Sequence, residues 1–217
     1  MKLQKGLLFS WLGLLSLISQ AQDFSYQQFT LIGYTIQLSD DFQEAGGNVA
    51  KTLDNTGYPD KLHEFFAHQT YSQLVRLFEK ELNIYVLPVN SLGKKARYDD
   101  LGYPEVSIQK AIREGSTKYF LKVDVNIQLD NQSKKVKGYN PADGYAQPVV
   151  AINVSLYSNK GYMPVKTATG TGRTGELIKI DKDFIATDNN GDTLSEESYP
   201  SILREAFYEI KLQLIEE

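Results

Sequence analysis

The sequence predicts an α+β fold, a two-layer sandwich with a mixed sheet and helices packed on one face. Three observations carry this. Tyr119, Leu121, Val123, Val125, Ile127 and Leu129 alternate with Lys122, Asp124, Asn126, Gln128 and Asp130, and Val150, Ile152, Val154 and Leu156 repeat the pattern. Period 2 marks strands with one buried and one wet face; a sheet covered on both sides has continuously apolar strands instead. The chain closes on an amphipathic helical stripe, Ile202, Leu203, Ala206, Phe207, Ile210 and Leu214. The elements follow the order β-α-β-α-β-β-β-α, which suits one layer of helices over one sheet and leaves the second face open to water or to a partner.

Residues 1–21 read as a secretory signal peptide. Lys2 and Lys5 precede an uncharged, mostly apolar run from Gly6 to Ile18, and Ser19-Gln20-Ala21 places small residues where a signal peptidase reads. The run is shorter than the ~20 residues a membrane span needs. The mature chain is therefore expected to start near Gln22, to form one domain over 22–217, to lack a membrane span, and to reside in the periplasm or outside the cell.

The elements follow in order. Ile32, Tyr34, Ile36 and Leu38 against Thr35 and Gln37 predict a first strand, with a Gly46-Gly47 loop running to Gly57. Pro59 suits a helix first turn. Leu62, Phe65 and Phe66 share one helical face, whereas Leu74, Val75, Phe78 and Leu82 share another. Thr70 and Gln73 between them match a capping box, so the spacing predicts a kinked helix or two short ones over 59–82. Ile84 to Val89 reads as a short strand. Pro104 opens a second helix with Ile108, Ala111 and Ile112, and Gly115 stops it. Asn159-Lys160-Gly161 is a turn into a polar strand reaching Thr171, and the last helix begins near Pro200.

Composition excludes several functions. The chain has 217 residues, 23 basic and 27 acidic, and no cysteine. Two of the basic residues leave with the leader, so the mature charge is −6. Nucleic acid and anionic lipid both need a basic face, so neither is an expected partner. Without cysteine there is no lipidated cysteine, thiolate metal site or cysteine nucleophile. A secreted eukaryotic domain of this size more often carries disulfides, which favours a bacterial source.

Four motifs have a chemical reading beside a plain one. His63-Glu64 and His68 resemble a zinc-protease helix, but the histidines are five apart, which sets the rings roughly 140° apart around a helix; surface histidines are expected. Gly170-Thr171-Gly172-Arg173-Thr174-Gly175 satisfies a dinucleotide fingerprint literally. Glu176 to Ile180 reads as extended and no helix begins in it, so a glycine-rich edge strand or a bulge is expected, where glycine allows bending or close backbone approach. Asp188, Asn190, Gly191 and Glu197 fit part of a calcium-loop register, but Ala186 stands at its first position; a polar turn is the other reading. Asp40-Asp41 and Asp99-Asp100 supply carboxylates, without a nucleophile and base beside them. No cofactor or metal is expected.

The 131–147 connection is longer than a hairpin requires. It holds Lys134, Lys135 and Lys137, then Tyr139 and Tyr145. Tyrosines beside cations suit recognition of a protein or a glycan, and these five are the candidate partner-binding residues; a solvated hairpin tip is the plainer reading.

Tyr85-Val86-Leu87-Pro88-Val89 after a helix, and Ala111-Ile112-Arg113-Glu114-Gly115 leading into Tyr119-Phe120-Leu121-Lys122-Val123, resemble periplasmic α/β domains of the TolB N-terminal type and the curli-secretion lipoprotein type. The chain departs from that pattern in lacking a lipidated cysteine and in its long tyrosine-bearing loop. The resemblance implies a non-catalytic envelope module working through protein contacts, and it transfers no functional residues. The expected function is thus a secreted or periplasmic interaction module whose partner is a cell-envelope protein or glycan. Alternatives are a binder of a small ligand or glycan and a carboxylate-dependent hydrolase.

Overall fold

A computed structural model describes residues 24–54, 61–94, 96–131, 138–186, 195 and 197–215. The expected leader over residues 1–21 and Lys134, Lys135 and Lys137 lie outside the described residues, as does nearly all of the calcium register.

The elements are β1 (Gln28–Leu38), α1 (Asp40–Ala45), α2 (Gly47–Asp54), α3 (Lys61–Leu82), β2 (Tyr85–Val86), α4 (Ile108–Glu114), β3 (Tyr119–Leu129), β4 (Tyr145–Ala146), β5 (Pro148–Ser158), β6 (Lys166–Arg173), β7 (Ile178–Lys179) and α5 (Tyr199–Ile215). The main sheet has the order β2-β1-β3-β5-β6. β1 is parallel to β2 and β3, while β3–β5 and β5–β6 are antiparallel. β4 and β7 form a separate antiparallel pair. This is the predicted mixed-sheet α+β sandwich, with its helical layer of α1, α2, α3 and α5 over one face.

The central strands follow the pattern read from their sequence. All six predicted β3 residues and the four of β5 are buried in the main core. They meet the predicted stripe of α5, of which Leu214 is partly buried. The opposite face carries Lys122, Asp124 and Asn153. There Thr35 Oγ1 donates to Asp124 Oδ1 at 2.6 Å, and Lys122 Nζ lies 3.0 Å from Asp124 Oδ2. One end of that face is not wet: Ile32, Leu92, Ala111 and Phe120 form a small second cluster with α4.

Several boundaries differ from expectation, each for a physical reason. The register between β1 and β3 shifts between Leu31 and Gly33. This bulge turns Ile32 away from Tyr34 and Ile36 and into the second cluster. The expected loop after β1 is two short helices. Ser39 caps α1 by accepting from the Phe42 N–H at 3.3 Å, and Phe42, Ala45, Val49 and Leu53 are buried beneath them.

α3 is one continuous helix, not two. Its buried row Leu62, Phe66, Thr70, Leu74, Phe78 and Leu82 recurs every fourth residue, which winds about 40° around the helix per step. The partners wind with it: Phe66 meets Phe42 and Tyr199, and Phe78 meets Phe207. Thr70 is buried mid-helix and bonds the Tyr199 hydroxyl, so it caps nothing. β2 is shorter than the predicted 84–89 strand. α4 starts at Ile108 behind the N-cap Ser107, because Pro104 is held in a bridge with Tyr98.

Candidate functional site

Three places on the molecule have chemistry to offer. The first is a cleft of about 130 Å³ between β1, α3 and the 97–105 loop. It sits beside an aromatic cluster in which Tyr34 and Tyr103 centroids are 4.6 Å apart, and Tyr71 lies 5.1 Å from Tyr103. The Tyr34 hydroxyl donates to Ala67 O at 2.9 Å. The Tyr103 hydroxyl lies 2.9 Å from His68 Nδ1 and donates to Ala67 O at 3.4 Å. Both phenols are therefore engaged on their buried side. Burial raises the pKa of Tyr34, Tyr71, Tyr103 and Tyr199 above the usual phenol value, because the ionised form loses its water. For Tyr103 the Asp99 carboxylate adds to the effect.

Both histidines of the chain stand here, half-buried and partnered rather than free on the surface. His63 Nε2 is 3.1 Å from Ile36 O. A carbonyl only accepts, so Nε2 carries the hydrogen and Nδ1 of the neutral ring is an acceptor. His68 Nε2 approaches Glu64 at 3.8 Å. Asp99 Oδ1 accepts from the backbone N–H of Leu101 at 3.0 Å and of Tyr103 at 2.7 Å, which shapes the loop. Sequence reading treated His63, His68 and Asp99 separately, and nothing in their spacing shows that β1 and the 97–105 loop bring them together.

The second place is the β6 edge. Cβ atoms at Gly170 and Gly172 would stand 1.9 Å from Ala206 O and Ile202 O, so glycine is required for α5 to lie on the strand. Of the readings offered by the sequence, bulge or edge strand, bending or close approach, the structure has the close approach on an edge strand. Three α5 side chains then reach the outward N–H groups: Glu205 accepts from Arg173 at 3.1 Å, Glu209 from Thr171 at 2.8 Å, and Gln213 from Thr169 at 3.0 Å. Four helical residues rise ~6.0 Å and two strand residues ~6.6 Å, so the two spacings match.

The third place is a rim made of two groups of exposed apolar side chains, one on α5 and one at the β5–β6 turn. Tyr208, Leu212 and Ile215 lie at helical spacing on the side of α5 away from its buried stripe. The antiparallel run of the three α5–β6 bonds points the C-terminal end of α5 toward the β5–β6 turn. That turn exposes Tyr162 (60%) and Met163 (78%), with Val165 beside them.

Of the predicted loop residues, Tyr145 is exposed, whereas Tyr139 is half-buried and packs against the main core. The connection is anchored at its end, where Tyr145 and Ala146 pair with Lys179 and Ile178 and both Ala146 and Ile178 are buried. Among the described residues no group of three histidine, aspartate or glutamate side chains is placed to hold a metal. Among the described residues the buried polar ones are Thr30, Thr70, Ser158, Thr174 and Ser198, none a carboxylate. Among the described residues no helix is long and apolar enough to cross a membrane.

No family model matches the sequence, and no curated protein matches it. Solved structures are distantly similar. The hypothetical protein CT253 from Chlamydia trachomatis aligns with TM-score 0.42 and 6% identity over 89% of this chain and 100% of that chain. PelC from Paraburkholderia phytofirmans, solved as a dodecamer, aligns with TM-score 0.37 and 14% identity over 89% and 91%. Lipoprotein GNA1162 from Neisseria meningitidis aligns with TM-score 0.35 and 10% identity over 69% and 84%.

Proposed function

We propose that this chain is an extracytoplasmic, non-catalytic interaction module that holds a cell-envelope protein through side-chain contacts. The observation that carries the reading is the rim: large apolar side chains are gathered on the outer face of α5 and at the β5–β6 turn. Exposed apolar patches of this kind mark protein contacts, and tyrosine and methionine are common at interface centres. The neighbouring β6 edge is already bonded by α5, so strand addition is blocked there and side chains remain as the means of contact. The leader-like segment supports the compartment.

The 131–147 connection, with Lys134, Lys135, Lys137, Tyr139 and Tyr145, is a second contact in this reading, and deleting its tip weakens capture without unfolding the domain. The experiment is crosslinking of the chain from Gln22 onward to a native envelope extract, beside the double variant Met163→Ser/Leu212→Ser. Both targets are exposed, so the variant stays folded. Loss of a near-stoichiometric protein partner is expected; equal capture by both proteins would refute the reading.

The second reading, a small-ligand binder, is favoured by one observation, the cleft at β1.

A further inference from the structure

We propose that the cleft between β1 and the 97–105 loop binds a primary alkylammonium group. The inference does not rest on the rim, which lies elsewhere in the fold. Size comes first. At about 130 Å³ the cleft is well above the ~15 Å³ that one water needs, so it admits a group of several heavy atoms.

Its chemistry is one-sided. Tyr34, Ile36, Leu101 and Tyr103 supply apolar walls, and His63 and Asp99 supply the ionisable polar groups. The two phenol hydroxyls are bonded to Ala67 O and His68, so they offer a ligand ring surface rather than donors. His63 spends its Nε2 hydrogen on Ile36 O, which leaves Nδ1 of the neutral ring as an acceptor. Asp99 receives both of its hydrogen bonds at Oδ1, so Oδ2 has no partner among the described residues. Among the described residues no lysine or arginine lines the cleft, and Arg97 is paired with Glu105 at 3.1 Å.

The pocket thus offers acceptors, a negative charge and aromatic walls. A ligand that satisfies all three brings hydrogen-bond donors, a positive charge and a short apolar stem. A primary ammonium on an alkyl chain has these properties: its three N–H groups meet Asp99 and His63, and tyrosine rings attract a cation. Asp99 is held by two backbone N–H groups before the ligand arrives, so little ordering is left to pay on binding. The same chemistry comes from two sources, a free diamine or the lysine side chain of a protein.

The test is titration of the isotopically labelled chain with n-butylammonium, followed at the Leu101 and Tyr103 amides, which bond Asp99. The neutral control is n-butanol. Asp99→Asn keeps the Oδ1 acceptor that shapes the loop and removes the charge. The proposal expects saturable shifts at both amides with n-butylammonium, none with n-butanol, and binding about tenfold weaker in the Asp99→Asn protein. Leu101→Arg, which places a cation of the chain's own at the mouth, blocks the shifts even if the first variant folds poorly. Putrescine and Nα-acetyl-lysine methylamide then separate the sources, the tighter binder naming a free diamine or a protein side chain. Absence of shifts with n-butylammonium up to ~100 mM, equal shifts with n-butanol, or unchanged affinity in both variants would overturn it.

Discussion

The two edges of the main sheet are closed in different ways. At β6, α5 lies along the strand and delivers Glu205, Glu209 and Gln213 to successive outward N–H groups. At the other edge β2 pairs only with Gln28 and Phe29. The rest of β1 is covered piecemeal: Val106 N–H donates to Ile32 O at 2.9 Å, Glu105 bridges Gly33, and the His63 ring bonds Ile36 O. Regular cover seals an edge, because helix and strand repeats match and no gap opens. Irregular cover leaves space between its pieces, and the cleft is in that space. An unsealed edge invites pairing with another chain; here one edge is sealed and the other keeps an open cleft.

The largest effect expected from breaking this contrast is at the glycines. Gly172→Ala puts a methyl 1.9 Å from Ile202 O. α5 must lift from β6, at a cost of about 3 kcal/mol or more in chemical denaturation. Gly161→Ala meets nothing within 4 Å and stays within about 0.5 kcal/mol of the parent.

Next is Thr70→Val, which strands the fully buried Tyr199 hydroxyl and costs about 1–3 kcal/mol. Glu209→Ala follows, at about 1 kcal/mol. It also frees the Thr171 N–H at the edge, so sedimentation should show concentration-dependent self-association that Glu209→Gln, which keeps an acceptor, does not. The same change on the β1 side, His63→Ala, opens a carbonyl beside the cleft and should leave association unchanged; if it associates as strongly, the contrast between the edges is lost.

The buried phenols give a pH window. Tyr34, Tyr103 and Tyr199 have folded pKa values above the unfolded one. Their stabilisation is fully present below the unfolded value near ~10 and is lost as pH rises from there through the folded values. Phenolate absorbance from these groups should therefore appear together with loss of tertiary signal, not before it.

The smallest effect is at Glu81, whose carboxyl the hydrogen bond from Lys211 holds below the usual range. That contribution is present above the unfolded carboxyl pKa and fades as pH falls through the folded one. The pair is partly exposed, so Lys211→Met costs only about 0.5 kcal/mol.

Much of the fold was legible because burial imposes period on sequence. β3 alternates over 11 residues, and the α5 stripe recurs at helical spacing, so neither needed a partner to be recognised. α1 and α2 left a signal too, Ser39 as a cap followed by Phe42, Ala45, Val49 and Leu53, but the adjacent glycines read as a loop. The bulge at Ile32 left none, since an alternation gives no sign that one residue is skipped. The Gly170–Gly172 pair reads as an edge strand or bulge with bending or close approach, yet the bonds from Glu205, Glu209 and Gln213 need the helix set antiparallel on the strand. The cleft was least legible: Tyr34, His63 and Asp99 come from three elements, and only the chain path makes them neighbours. Lys134, Lys135 and Lys137 fall outside the described residues and remain a proposal with Tyr145.

The central claim is that the rim beside the sealed β6 edge holds a protein partner. Its most direct test is quantitative crosslinked capture from native envelope, comparing the chain from Gln22 onward with the folded Met163→Ser/Leu212→Ser variant. The account predicts one protein captured at near-stoichiometric yield by the first and lost by the second. A blank with both, or the same protein held equally by both, would contradict it.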